Sequence, residues 1–378
     1  MYQKIIKESN ENRIFQYLFK SREKFVISDI ASALNMSFPT VKRVVDILLE
    51  KNILLEKNKT GEGVGRKARV YELNPDFCYS IGIRITQNAF KFILINGYCE
   101  IKREKTYTHT LTNQNILEIL DSSIEDFIGI LSKEKRKNLI GIGIATKGIV
   151  NKENNFVEFS NTASFPLKSL DSIAQKYGVP LLIENESNLA VIAESVLGIG
   201  QKLNHFIALT LSDSISCSTF QKEQHESFSF KAGRIHHMNI NPDGNLCECG
   251  AQGCLGTYIS DRALVWEFKK FFPEIEEFDQ IFDPKYLDTH FGKLLIENYI
   301  KHIGTGIKNL LFFSNPEKLI ITGKICRYEE IIKPELLKNI YRPNHIFYRG
   351  SETIAFSSFG DNTAILGAAI FPIVDSLF

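Results

Sequence analysis

Apolar residues in the first fifty positions recur at helical intervals. Ile14, Tyr17 and Leu18 share one face, and Ile30, Ala31 and Leu34 share another, with Ser28 placed to cap them. Asn35-Met36 marks a turn. Ser37 then stands as an N-cap before Val41, Val44, Val45, Leu48 and Leu49, with Pro39 just inside the helix, where its missing N–H costs nothing. Beyond Ile53-Leu54-Leu55 comes a tip studded by Gly61, Gly63 and Gly65, and residues 68–73 alternate with a period of two. Three helices and a two-stranded ribbon predict a winged helix-turn-helix over residues 1–75, closed by Asn74-Pro75.

The texture then changes. Strand-like segments at 80–85, 89–95 and 99–106 form a meander, followed by a helix over 115–131 and a strand over 139–144. A helix at 167–177, a strand at 180–183 and a helix at 187–197 complete the first set. A second set opens at His205, with strands near 206–211 and 319–321 and helices around 261–271 and 293–313. The apolar run 364–374 reads as a buried C-terminal helix. Strands alternating with helices predict a largely parallel sheet with crossovers. Two such sets predict a two-lobed α/β body, with the first lobe over 76–200, the second over 201–378, and the C-terminal helix packing back on the first.

Composition narrows the class. The 378 residues are 44% hydrophobic and 24% charged, the balance of a globular chain of two or three domains. A net charge of +1 excludes a uniformly basic nucleic-acid coat, but residues 1–75 hold 14 Lys/Arg against 9 Asp/Glu. The segment with the helix-turn-helix pattern is therefore the basic one, the sign expected of a partner carrying phosphate. No apolar run reaches the roughly 18 residues of a membrane span. The start lacks the pattern of a secretory signal, and seven cysteines in a Lys-rich chain point to free thiols or a metal instead of disulfides. The expected compartment is the cytoplasm.

Two constellations carry chemistry. His236-His237 is followed by Cys247, Cys249 and Cys254. Three thiols and one imidazole suit Zn²⁺ in a closed, structural site with no position left to activate water, and Gly250 and Gly253 allow the tight turn this needs. On residue type alone either His completes the set. In the helix-turn-helix, Ser37, Thr40, Lys42 and Arg43 are expected to face outward into a major groove. Arg66 and Lys67, after Gly65, are expected at the wing tip, within reach of phosphate or the minor groove. His205, His225, His290 and His302 stand alone and read as surface or packing. Cys78, Cys99, Cys217 and Cys326 read as ordinary buried residues, Phe312-Phe313 as core, and 133–137 as a solvated connection.

Taken together, the winged helix ending in Gly65-Arg66-Lys67 … Leu73-Asn74-Pro75 and the His-and-triple-Cys segment resemble the ROK family of repressors and sugar kinases. Gly141-Ile142-Gly143-Ile144, Glu184-Asn185-Glu186-Ser187-Asn188, Asn315-Pro316 before Leu319-Ile320-Ile321, and Gly367-Ala368-Ala369 extend the resemblance over nearly the whole chain. It implies a two-lobed, actin-like (ribonuclease-H-like) body and assigns the zinc His to His237. The family's catalytic Asp falls on Glu186, one methylene longer, and Asn185 and Asn161 match sugar-contacting positions. Arg234 and Gly256 replace two carboxylates that face sugar hydroxyls. The glycine turns that hold ATP in the kinases read here Arg84-Ile85-Thr86-Gln87-Asn88 and Ser212-Asp213-Ser214-Ile215-Ser216-Cys217, with Gly323 left of a later pair. The resemblance therefore implies a regulator, a repressor of double-stranded operator DNA, acting as a homodimer or tetramer. Its body would have lost ATP and catalysis while keeping a sugar-like effector site at Asn161, Asn185, Glu186, Arg234 and His237. An active sugar kinase and a ligand-independent regulator are the two alternatives.

Overall fold

The computed structural model describes residues 2–57, 69–86, 88–151, 155–160, 163–222, 228–341 and 353–377. Three helices open the chain: α1 (Tyr2–Ser21), α2 (Ile27–Ala33) and α3 (Phe38–Glu50). Strands β1 (Leu54–Lys57) and β2 (Val70–Leu73) pair antiparallel, and Phe25 bridges Tyr71 with two 2.9 Å backbone hydrogen bonds. Ile14, Leu18, Ile30, Val41, Val44, Val45 and Leu48 are buried in a common core. The cap of α2 differs from expectation. Val26 precedes the helix and Ser28 lies inside it, and the Asp29 carboxylate accepts the Val26 N–H at 3.3 Å. A carboxylate in the first turn serves the helix end as well as a hydroxyl would.

The chain divides into two compact units, Met1–Glu184 with Ala368–Phe378, and Asn185–Gly367. In the first, β3 (Tyr79–Thr86), β4 (Ala89–Asn96) and β5 (Ile101–Thr108) form an antiparallel meander. After α4 (Ile116–Gly129) and α5 (Lys133–Lys137), β6 (Leu139–Thr146) pairs parallel with β3. A small sheet of β7 (Ile149–Asn151), β8 (Phe156–Ser160) and β9 (Ala163–Pro166) follows, then α6 (Ser169–Tyr177) and β10 (Leu181–Asn185). The main sheet has the order β10-β6-β3-β4-β5. The charged segment at 133–137, expected as a connection, is a short exposed helix capped by Ser132, whose hydroxyl accepts the Lys135 N–H at 3.4 Å.

The second unit repeats this layout. After α7 (Glu186–Val196) come β11 (His205–Thr210), β12 (Ser216–Lys222) and β13 (Phe228–Gly233), antiparallel. Helices α8 (Gly256–Ile259), α9 (Asp261–Lys269), α10 (Pro284–Leu287) and α11 (His290–Ser314) precede β14 (Lys318–Thr322). Then follow α12 (Glu329–Ile340), β15 (Ile354–Phe356) and α13 (Thr363–Leu377). The order is β13-β12-β11-β14-β15, with β14 parallel to both β11 and β15. Both sheets are thus mixed instead of largely parallel: hairpins build three strands of each, and crossovers add the rest.

On β11, Phe206 and Ala208 pack with Ala190 and Val191 of α7, while Ile207 and Leu209 join Ile300, Ile303 and Ile307 of α11. A strand covered on both faces reads as an unbroken apolar run. Phe312 and Phe313 are not core, being 56% and 91% exposed. Leu310 and Leu311 hold the buried face of α11, and the next two residues rotate away from it at 100° each. Cys78, Cys99 and Cys217 are buried, and Cys326 is half-buried.

The fully buried Glu194 of α7 joins the chain ends of the second unit. Its carboxylate accepts from the Ser357 hydroxyl and from the Ile199 N–H at 3.0 Å. Burial pushes its carboxyl above the ordinary range, against the pull of those two donors. Because the folded group holds its proton at a pH where the unfolded one has lost it, stability falls as pH rises between the two pKa values. The melting temperature of Glu194→Gln minus that of the parent is therefore expected to grow as pH rises above about 4.5. A pH-independent difference in thermal melts would contradict this.

Candidate functional site

Helix α3 is seated by its apolar face, which decides what it shows outside. With Val41, Val44, Val45 and Leu48 buried, Ser37, Phe38, Pro39, Lys42 and Arg43 are exposed. Ser37 caps the helix: its hydroxyl accepts the Thr40 N–H at 3.4 Å and pairs with the Thr40 hydroxyl at 2.8 Å. Thr40 is half-buried, so its hydroxyl serves the cap. Lys42 reaches Asp46 at 2.6 Å across one turn, whereas Arg43 makes no ion pair among the described residues. Arg66 and Lys67 lie outside the described residues.

The second constellation gathers as one cluster. The ligand atoms of His237, Cys247, Cys249 and Cys254 all lie within 4.8 Å of one another. Cys249 Sγ stands 3.7 Å from Cys254 Sγ, and Cys247 Sγ stands 3.5 Å from His237 Nδ1. Ligands at zinc–sulfur distance around a tetrahedral ion stand about 3.8 Å apart. Spacing and donor chemistry therefore both fit a closed tetrahedral ion. The backbone makes this possible at Gly253, which has φ of +74° and approaches Asn241 so closely that a Cβ would lie 1.7 Å from its carbonyl oxygen. The Ala251 N–H draws the Cys249 thiol below its usual pKa, while burial pushes Cys254 up to about 12. Adjacent thiols resist joint ionisation, and a dication at their centre removes that resistance.

His236 is not part of this group. Its Nδ1 accepts the Ile215 N–H at 3.3 Å, which leaves the Nε2 proton as its donor. Burial, and next the neighbouring His237, lower its affinity for a second proton. The ring lies over Gly256, where a Cβ would sit 2.1–2.3 Å from three of its atoms. The glycine that looks in the sequence like a missing carboxylate is thus the space the imidazole fills. The turn 212–216 is further closed on itself: Ser212 Oγ accepts the Ser214 N–H at 3.4 Å and donates to the Ser214 carbonyl at 3.0 Å. Sequence reasoning weighed His236 as a metal ligand and missed this role. The adjacent His pair and Gly256 were the only local signals.

Asn185 caps α7, its side-chain oxygen accepting the Ser187 N–H at 2.9 Å, and Glu186 is buried at the first helical position. Asn188 accepts from the Ser218 hydroxyl of β12 at 2.7 Å. Arg234 is exposed at the start of the turn bearing His236 and His237. Asn161 lies outside the described residues, as do His225 and Gln87. Among the other isolated histidines, His205 meets the Ser314 hydroxyl at 3.1 Å, His302 packs on Tyr258 with ring centroids 4.6 Å apart, and His290 lies against Phe291.

Against known proteins, residues 80–373 match the model of the ROK family. The chain belongs to the ROK family. It is 26% identical to the xylose repressor of Bacillus subtilis, over 97% of this chain and 95% of that one. It is also 26% identical to the glucokinase of Thermotoga maritima, over 76% of this chain and 95% of that one. Among solved structures, a ROK family transcriptional regulator, a homologue of the E. coli MLC protein, superposes with a TM-score of 0.75 at 19% identity. That match covers 98% of this chain and 96% of the other. The architecture of the family member is thus a winged helix-turn-helix followed by the two-lobed, actin-like ROK body. No helix among the described residues is long and apolar enough to cross a membrane.

The packing of His236 on Gly256 makes a direct prediction. Gly256→Ala should cost about 1–3 kcal/mol through overpacking, and Gly256→Ala with His236→Ala should recover most of it. Additive losses in denaturant melts of the single and double variants would refute the contact.

Proposed function

We propose that this protein is a DNA-binding transcriptional repressor whose ROK body responds to a sugar or sugar derivative and does not transfer phosphate. The observation that carries the reading is helix α3, which presents Lys42 and Arg43 outward, in a segment N-terminal to a ROK body. The xylose repressor of Bacillus subtilis matches over 97% of this chain, whereas the glucokinase of Thermotoga maritima, itself covered to 95%, accounts for 76%. The unmatched share is about the length of the winged helix.

Ser37, Thr40, Lys42 and Arg43 of the second helix of the motif, with Arg66 and Lys67 of the wing, are the proposed DNA contacts. An N-terminal turn of this kind enters the major groove while a basic wing meets the backbone. The protein acts as a homodimer or tetramer, so its operator is a pseudo-palindrome. Asn161, Asn185, Glu186, Arg234 and His237 are the proposed effector contacts, and the effector works by binding two arrangements of the protein unequally. His237, Cys247, Cys249 and Cys254 would hold zinc, which braces the loop and leaves no open position for water.

Loss of phosphoryl transfer is favoured by the turn 212–216. Phosphate cradles work by offering unengaged backbone N–H groups. Here the Ser214 and Ile215 N–H groups are already engaged by Ser212 and His236. The working compartment is the cytoplasm, where operator DNA and reduced thiols coexist.

Duplexes selected from a randomised pool by the purified full-length protein test the reading. A pseudo-palindromic consensus is expected, bound at least tenfold more weakly by Arg43→Ala, and released by one member of a panel of pentoses, hexoses and their derivatives. Sugar phosphorylation with Mg-ATP would overturn it. Metal analysis should find one zinc per chain, and Cys247→Ser should lose it and melt at least about 5 °C lower. A metal-free parent of unchanged melting temperature would remove the zinc assignment.

A further inference from the structure

Phe38 is the first residue of α3 and is 53% exposed, although the same helix buries four other apolar side chains. It has no ring partner among the described residues. The cap holds it in place: Ser37 binds the Thr40 N–H, and Pro39 stiffens the backbone that follows. Phe38 and Lys42 lie one turn apart on the same face, and Pro39 and Arg43 flank them. An aromatic ring in water beside two cations is poor packing for a free monomer. It is good packing against a surface that combines phosphate with apolar groups at fixed depth. The major groove of a duplex is such a surface, because the thymine C5 methyl is its one apolar base-edge group.

We infer that Phe38 reads thymine, its ring covering the C5 methyl at one position of each half-site while Lys42 and Arg43 meet phosphate or base edges. This rests on the DNA-binding reading above and adds a specificity-determining residue to it. Within a helix-turn-helix the N-terminal residues of the second helix are those that approach base edges, which is where Phe38 sits. Its side chain carries no hydrogen-bonding group, so its contribution to sequence choice is a methyl contact alone.

The test uses duplexes selected from a randomised pool by the full-length protein, with each thymine replaced in turn by deoxyuridine. That change removes the methyl and keeps base pairing. The parent should lose about fourfold in affinity per half-site at one symmetric thymine, the loss expected for one buried methyl. Phe38→Ala should bind the unmodified duplex more weakly and show no further loss with uracil there, while Phe38→Leu keeps part of the sensitivity. Because the ring is exposed, all three proteins should melt at the same temperature. Unchanged uracil sensitivity in Phe38→Ala would overturn the assignment and leave DNA binding intact. Failure to enrich any duplex would overturn the DNA-binding reading and this assignment with it.

Discussion

Asn74 is 7% exposed between the wing and the first sheet, and its side-chain amide donates to the Asn52 carbonyl at 2.8 Å while its oxygen accepts the Asp76 N–H at 3.0 Å. Around it, Tyr98 donates to the Leu73 carbonyl at 2.8 Å, the Gly97 N–H donates to the Pro75 carbonyl at 2.8 Å, and Phe15 packs edge-on against Phe77. These contacts turn the Asn74-Pro75 boundary into a joint. The hairpin turn between β4 and β5 holds one side of it, and the helices of the winged motif hold the other. Buried hydrogen bonds of this kind are costly to break because each leaves an unsatisfied group. The helices of the winged motif are therefore tied to the first sheet by direct contacts.

The second unit keeps the layered core of the first. Its sheet repeats the strand order of the first, and the same hydrophobic layers support it. His236 comes from the turn that also delivers His237 to the metal cluster, so one short segment serves both the metal loop and the turn 212–216. The imidazole fills the space above Gly256 and accepts the Ile215 N–H. Two residues that look independent along the chain, Gly256 and His236, are neighbours in space. Any side chain at 256 would meet the ring.

The winged helix was legible because its helices are amphipathic at 3.6-residue spacing and its turn residues are local signals. The cap at Ser28 was misread because a hydroxyl before an apolar run is a common pattern, and nothing nearby reveals that Asp29 performs the task. Strands β12 and β13 escaped notice because a run such as Ser216–Lys222 carries polar residues on both faces, and α12 because Pro334 interrupts its pattern. Phe312-Phe313 misled for the opposite reason, since apolarity says nothing about which side of a helix meets the core.

What the sequence by itself determined was the winged helix, the two-set α/β body, the family and the metal-ligand types, all properties of periodicity and of residue kind at short separation. The family resemblance had put the zinc imidazole on His237, and the tertiary structure gathers that ring with the three thiols. Only the tertiary structure decided that His236 closes a turn 21 residues away, and that Phe38 points to solvent while its helix buries Val41, Val44, Val45 and Leu48. These are outcomes of direction and proximity, set when distant segments pack.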